Sequence, residues 1–133
     1  MVKKISHIGI AVKDLEKSIR FYEKLGLELE AIETVKSQKV KVAFLPIGDV
    51  RIELLEATSE HSTIAKYIEK RGEGVHHIAF GTNDLQDRLD EIAANGIRLI
   101  DKKPRLGAHN ANIAFLHPKS THGVLLELCE ENK

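Results

Sequence analysis

The chain has 133 residues, and its 20 basic and 20 acidic side chains leave no formal net charge. This balance provides no overall field that would attract nucleic acid or an anionic membrane surface. The single cysteine excludes an internal disulfide and fits a reducing compartment. Because no apolar stretch reaches membrane-spanning length, the sequence predicts one soluble, cytoplasmic domain whose function depends on a local site.

The first half of the chain is predicted to contain one strand, one helix and three further strands. Residues 5–12 alternate between apolar and small or polar side chains, which is typical of a strand with one buried face. Asp14 is a suitable N-cap for the helix that follows, and Gly26 is a suitable end for it. The three strands predicted next span residues 27–35, 38–45 and 50–55.

The second half repeats this order after a helical linker. Asp84 and Gly96 stand where Asp14 and Gly26 stood, each 70 residues further along the chain. Strands are predicted over residues 75–80, 97–100, 112–116 and 124–128, with a helix between the first two. The single domain is therefore divided into module one (5–57), a linker helix (58–72) and module two (75–130).

Two such modules predict an α+β fold, in which two tandem βαβββ units form one eight-stranded, cup-shaped sheet with the helices outside. Each module alone would leave one sheet face exposed, and two modules can bury these faces together. Small side chains on the inner face would leave room for a ligand. The residues expected there are Gly9, Ala11, Ala43, Ala79 and Ala114.

Four polar residues occupy matched positions in the two modules. His7 and His77 lie on the first strand of each module, and Glu53 and Glu127 lie on the last. Since side chains alternate along a strand, all four are expected on the inner face. Imidazole and carboxylate groups that converge without a thiolate favour an open site for a divalent first-row metal ion. The sequence therefore predicts a metal site inside the cup.

A structural interpretation competes with the metal site at each position taken singly. A strand histidine is commonly a hydrogen-bonded core residue, and Glu53 could pair with Arg51 or Lys41 instead. The repeat favours the metal site, because chance placement does not predict both pairs on one face and in register. The other five histidines are interpreted as surface or loop residues.

Three stretches of the chain resemble a known family. They are residues 7–12 (HIGIAV), 74–79 (GVHHIA) and 113–121 (IAFLHPKST), and with the strand of Glu127 they extend over nearly the whole chain. The chain resembles the vicinal oxygen chelate superfamily of glyoxalases, bleomycin resistance proteins and dioxygenases, and within it the methylmalonyl-CoA epimerases. The resemblance implies a metal-dependent isomerase that interconverts (R)- and (S)-methylmalonyl-CoA by proton transfer at carbon 2 through a metal-stabilised enolate.

The resemblance also implies roles for individual residues. His7, Glu53, His77 and Glu127 match the family's ligands of a divalent metal ion, for which cobalt is expected first and nickel, manganese or zinc next. Beyond the resemblance, we expect Glu127 with Glu53, detaching transiently from the ion, or Glu127 with Lys41, to exchange the proton with the substrate. Lys41 stands where some epimerases carry a glutamate base, and this departure leaves the second base open.

A basic cluster is the candidate site for the coenzyme A tail. The resemblance implies that Lys102, Lys103, Arg105 and Lys119 contact its phosphates, although on charge alone a solvated surface is the simpler interpretation.

Two other functions stay open at this point. One is a glyoxalase I-like isomerase with the same ligands, and the other is a metal-free small-molecule binding protein of the same fold. A homodimer is expected from the family, and neither nucleic acid nor a membrane is expected as a partner.

Overall fold

The computed structural model describes residues 1–131, and its secondary structure is α+β. Within these residues, a strand, a helix and three strands are followed by a linker helix and by the same series again, which confirms the predicted order. None of these helices is both long and apolar enough to cross a membrane. The elements are β1 (Val2–Ala11), α1 (Leu15–Lys24), β2 (Ala31–Val35), β3 (Val40–Ile47), β4 (Val50–Ala57), α2 (Thr63–Arg71), β5 (Gly74–Thr82), α3 (Leu85–Ala94), β6 (Arg105–Leu106), β7 (Ala111–Phe115) and β8 (Leu126–Glu131).

The chain divides into two compact units, and the division falls inside β1. The N-terminal unit is His7–His76, and the C-terminal unit combines Met1–Ser6 with the residues from His77 onward. Within the C-terminal unit, the Thr82 hydroxyl donates to the Met1 carbonyl at 3.0 Å. The Ser6 hydroxyl donates to a Glu131 carboxylate oxygen at 3.2 Å. The first residues of the chain therefore fold with its second half.

In the N-terminal unit, β2, β3 and β4 are antiparallel neighbours, and β4 runs parallel to β1. Helix α1 begins at the N-cap Asp14, whose side chain accepts from the Lys17 N–H. It covers one face of these strands, where its buried Leu15 and Ile19 join a core with Val12, Ala43, Leu45 and Leu54. The residues of β1 and β4 that alternate with these helix-facing residues lie on the other face of the sheet.

In the C-terminal unit, β5 runs parallel to β8, and β8, β7 and β6 are antiparallel neighbours. Helix α3 packs on one face through Leu85 and Leu89, which form a core with Ala114, Leu116 and Leu128. A second apolar cluster contains Ala79, Ala111, Ile113 and Cys129. Both faces of these strands are therefore buried.

The register of β3 corrects the prediction for Lys41. Lys41 lies opposite Glu56, whereas Phe44 lies opposite Glu53. Because cross-strand partners share a face, Lys41 is on the helix-covered side of the sheet, away from Glu53, and it is exposed there. Ala43 and Ala114 also pack in the helix-covered cores, so their predicted place on the inner face is wrong.

The second half contains two further departures from the prediction. Residues 97–100 are not a strand, and only Leu99 makes an isolated bridge, to Leu116. The sixth strand is Arg105–Leu106, which pairs with β7. Asp84 has a left-handed backbone (φ 51°) and its side chain does not cap α3, in contrast to Asp14.

Candidate functional site

The N-terminal unit contains a buried imidazole and carboxylate pair. Gly9 of β1 lies opposite Glu53 of β4, so His7, two residues before Gly9, lies on the same face as this carboxylate. His7 Nδ1 is 3.2 Å from Glu53 Oε2, and the Arg51 guanidinium donates to the same oxygen at 3.2 Å. His7 is 4% and Glu53 is 3% exposed. The pair is thus formed away from solvent and is joined by one cation.

The C-terminal unit contains the matching pair. Ala79 of β5 lies opposite Glu127 of β8, which places His77 on the face of Glu127. His77 Nε2 is 3.5 Å from Glu127 Oε1, and the two residues are 6% and 3% exposed. The Phe115 ring packs edge-on against the imidazole, with centroids 5.6 Å apart. This pair has an aromatic neighbour where the first pair has an arginine.

The donor atoms in each pair are spaced as two ligands of one metal ion would be. Two donors at about 2.1 Å from an ion lie about 3.0 Å apart in octahedral and about 3.4 Å apart in tetrahedral geometry. The separations of 3.2 and 3.5 Å agree with these values. Neutral imidazole and carboxylate are also the donors that first-row divalent ions prefer in open sites. Each pair therefore fits two ligand positions of a divalent ion.

The neighbouring His76 has a different character. It lies next to His77 on β5, so its side chain points to the opposite face. Its ring packs edge-on against Tyr67, with centroids 4.9 Å apart. Burial lowers the pKa of His76 to about 4, because the charged imidazolium would lose hydration there. His76 is therefore a neutral packing residue on a strand at neutral pH, whereas the sequence analysis interpreted it as a surface or loop histidine.

The basic residues assigned to the coenzyme tail are all exposed. Arg105 has a specific environment, because its Nε is 3.3 Å from Asp101 Oδ1 and its guanidinium lies over the Phe115 ring at 5.5 Å. Since Phe115 also contacts His77, Arg105 is connected to the C-terminal pair by one intervening ring. Lys102 and Lys103 precede this position in the loop before β6.

Lys119 belongs to a second basic group that the sequence analysis did not identify. The His117 N–H donates to the Arg98 carbonyl at 2.9 Å, and the Arg98 N–H donates to the Ser120 hydroxyl at 2.8 Å. The Lys119 backbone N–H donates to His117 Nδ1 at 3.1 Å, and desolvation with the charges of Arg98 and Lys119 lowers the pKa of His117. The sequence analysis did not include Arg98 in this group, because Arg98 lies in a segment that was predicted to be a strand.

Comparisons with known proteins identify the family of the chain. Residues 6–115 match the family model of the glyoxalase/bleomycin resistance protein/dioxygenase superfamily. The chain belongs to this superfamily. The resemblance drawn from the sequence motifs is thereby confirmed at the level of the superfamily.

Members of the superfamily named as epimerases are similar to the chain over its full length. The ethylmalonyl-CoA/methylmalonyl-CoA epimerase of Cereibacter sphaeroides is 36% identical over 96% of this chain and 98% of its own. The methylmalonyl-CoA epimerase of Streptomyces coelicolor, solved as a variant in complex with 2-nitronate-propionyl-CoA, is 41% identical with a TM-score of 0.95, and covers 98% of this chain and 96% of its own. A methylmalonyl-CoA epimerase solved with methylmalonyl-CoA and NH4+ shows the same identity, coverage and TM-score.

Proposed function

We propose that this chain is a methylmalonyl-CoA epimerase that interconverts the (R) and (S) forms by proton transfer at carbon 2. The observation that carries the proposal is the buried imidazole and carboxylate pair that occurs once in each unit. Its occurrence in a chain with 36 to 41% identity to epimerases supports this substrate over others of the superfamily. We extend it to a metal-dependent reaction, in which His7, Glu53, His77 and Glu127 hold one divalent ion, with cobalt expected first.

The chemistry requires a stabilised enolate and two positions for the proton. The hydrogen on carbon 2 lies between a thioester carbonyl and a carboxylate, and its removal places negative charge on the thioester oxygen. A divalent ion held by the four ligands would supply a Lewis acid for that charge. The low exposure of the four side chains keeps water from competing with them and strengthens every charge interaction at the site.

We assign the two proton positions to Glu127 and Glu53, each of which would detach transiently from the ion to carry the proton. One carboxylate takes the proton from carbon 2 while the carbon–hydrogen electron pair moves into the enolate. The other, in its protonated form, returns a proton to the opposite face and restores the carbon–hydrogen bond. The Arg51 guanidinium donates to Glu53 and stabilises its anionic form. Lys41 has no role in this mechanism, because it lies on the opposite face of the sheet from Glu53.

Solvent deuterium incorporation tests the assignment. Each stereoisomer of methylmalonyl-CoA is incubated in deuterium oxide with wild type, Glu127→Gln, Glu53→Gln and Lys41→Ala. We expect both Gln variants to lose deuterium incorporation from at least one stereoisomer, by about a hundredfold or more. Lys41→Ala is the matched control and should behave as wild type. Unchanged incorporation from both stereoisomers in Glu127→Gln would remove Glu127 from the mechanism.

Metal analysis distinguishes the alternatives. Purified protein is assayed with methylmalonyl-CoA before and after chelation and after the return of cobalt, nickel, manganese or zinc. We expect chelation to abolish epimerisation and one of these ions to restore it. Turnover of the hemithioacetal of methylglyoxal and glutathione in place of methylmalonyl-CoA would indicate a glyoxalase I-like enzyme. Tight small-molecule binding with no metal at all would indicate a binding protein.

The coenzyme tail is assigned to the exposed cations near the C-terminal pair. Arg105 is the first candidate, because Phe115 connects it to His77. Lys102, Lys103 and Lys119 are the other three. Reversing the charge of Arg105 should raise the Michaelis constant for methylmalonyl-CoA, and an unchanged constant would exclude this contact. A homodimer and a cytoplasmic location stay predictions, and analytical ultracentrifugation tests the first.

A further inference from the structure

Backbone N–H groups at the starts of α1 and α3 donate hydrogen bonds to a carboxylate on the last strand of the same unit. In the N-terminal unit, the Leu15 N–H donates to Glu56 at 2.9 Å. In the C-terminal unit, the Asp84 and Leu85 N–H groups donate to the two oxygens of Glu130 at 2.8 and 3.5 Å. The first N–H groups of a helix have no partner inside the helix, and the helix dipole favours an anion there. Glu56 therefore links β4 to α1, the helix that follows β1. In the same way, Glu130 links β8 to α3, the helix that follows β5.

These two carboxylates have a fixed relation to the candidate ligands. Glu56 is three residues after Glu53, and Glu130 is three residues after Glu127. Three residues along a strand reverse the face and advance the chain by about 10 Å. Each strand thus presents one carboxylate to the site and, on its other face, a second carboxylate to the helix. The same arrangement occurs in both units, so it is observed twice in the chain.

The bonds connect the strand that carries the glutamate with the strand that carries the histidine. Helix α1 follows β1 after three residues, and α3 follows β5 after two. The Val12 N–H also donates to the Leu55 carbonyl at 2.9 Å, immediately before Glu56. A register slip of one residue between β1 and β4 would turn Glu53 to the helix side. A bond at the end of the strand pair opposes such a slip.

We propose that Glu56 and Glu130 are positioning residues, which hold the imidazole and carboxylate of each pair in register from the opposite face of the sheet. A carboxylate that only caps the helix would affect stability alone. A positioning residue must also affect the histidine of its own unit, and leave the other unit unchanged. Glu130 accepts two bonds and Glu56 one, so the effect should be larger in the C-terminal unit.

Nuclear magnetic resonance of the histidines separates these two roles and does not depend on the proposed activity. Chelated protein with ¹³C-labelled histidine is compared in wild type, Glu56→Ala, Glu130→Ala and Asp14→Ala. We expect Glu56→Ala to shift the ring signals of His7 alone, and Glu130→Ala those of His77 alone. Asp14→Ala is the matched control, because it removes a cap from the same α1 without touching β4. It should lower the melting temperature and leave both signals in place.

Kinetics provides a second arm, which rests on the proposed function. Below the melting temperature of each variant, we expect a decrease in kcat of about ten- to a hundredfold for Glu56→Ala and Glu130→Ala, with KM nearly unchanged. Glu56→Gln should restore most of the lost rate, since one amide oxygen can accept one bond, and Glu130→Gln should restore less. Glu130→Gln also replaces Glu130→Ala if the latter does not fold.

The outcomes distinguish the two proposals. Wild-type histidine signals and wild-type kcat in Glu56→Ala and in the folded Glu130 variant, with only a lower melting temperature, would show that both carboxylates are simple caps. If the wild-type protein does not epimerise methylmalonyl-CoA, the proposed function fails, and the histidine signals still decide the positioning role.

Discussion

The two units place a histidine and a glutamate in the same way, yet they surround the two pairs differently. One carboxylate oxygen of Glu53 contacts the Arg51 guanidinium, whereas the residue that matches Arg51 in the C-terminal unit is Leu125. His77 instead packs against Phe115. The histidines also face their carboxylates through different ring nitrogens, Nδ1 in His7 and Nε2 in His77. The duplicated backbone therefore brings a histidine and a glutamate together in both units. The neighbouring side chains differ, so that the first pair lies beside a charged group and the second pair lies in a less polar environment.

We expect the largest effect, a loss of metal affinity, when the imidazole is removed from either pair. His7→Ala and His77→Ala should each weaken cobalt binding by more than the roughly 10- to 100-fold loss caused by removing a supporting partner. Competition with a chromogenic chelator measures this affinity. A similar loss in both variants would show that the two units contribute equally, and a loss in one alone would assign the ion to a single unit. Wild-type affinity in both would exclude the metal site.

Removing the arginine should destabilise the N-terminal pair. Arg51→Met leaves the buried Glu53 without this cation, and we expect a loss of about 1–3 kcal/mol in the unfolding free energy of chelated protein. Urea denaturation measures it. In a double-mutant cycle, Glu53→Gln should recover part of the loss, because the uncompensated charge is then absent. Additive effects would show that Arg51 and Glu53 do not interact.

Removing the aromatic neighbour should affect the C-terminal pair less. Phe115→Leu keeps the apolar volume approximately and removes the ring contacts with His77 and Arg105. We expect a loss of about 0.5–1.5 kcal/mol in unfolding free energy. Phe21→Leu is the control, because Phe21 is 56% exposed and its loss should have little effect. Equal effects of the two substitutions would contradict a specific role of the Phe115 ring.

The smallest expected effects distinguish the two aspartates before the helices. Asp14→Ala removes a side-chain cap and should cost about 1 kcal/mol. Asp84 has a left-handed backbone and its side chain does not cap α3, so Asp84→Gly should be neutral or stabilising by a few tenths of a kcal/mol. Thermal unfolding measures both. A similar loss in the two variants would mean that Asp84 also acts as a cap.

The repeat was sufficient to predict the element order and the four paired residues, since matched polar residues on matched strands are visible in the sequence. The face of Lys41 was not predictable in the same way. Both faces of β3 are buried, with Val42 and Phe44 on one side and Ala43 and Leu45 on the other, so alternation does not mark the inner face. Only the pairing of β3 with β4 determines it.

The sixth strand and the cap of α3 depended on contacts that are distant in sequence. Arg105–Leu106 is a two-residue strand, and Leu106 is 62% exposed, so it has no apolar pattern to detect. Its pairing with β7 alone defines it. The cap of α3 comes from Glu130, 45 residues after Leu85, and no local motif at Asp84 indicates this. Local sequence patterns could predict elements, but not these partners.

The division of β1 affects how the protein can be made. Ser6 is synthesised 125 residues before Glu131, yet the two residues belong to the same unit and are joined by a hydrogen bond. Contacts between distant parts of a chain slow folding, because the loop between them must close first. Cutting the gene between the duplicated halves would therefore not yield two self-sufficient proteins, since the second fragment would lack five residues of its own sheet.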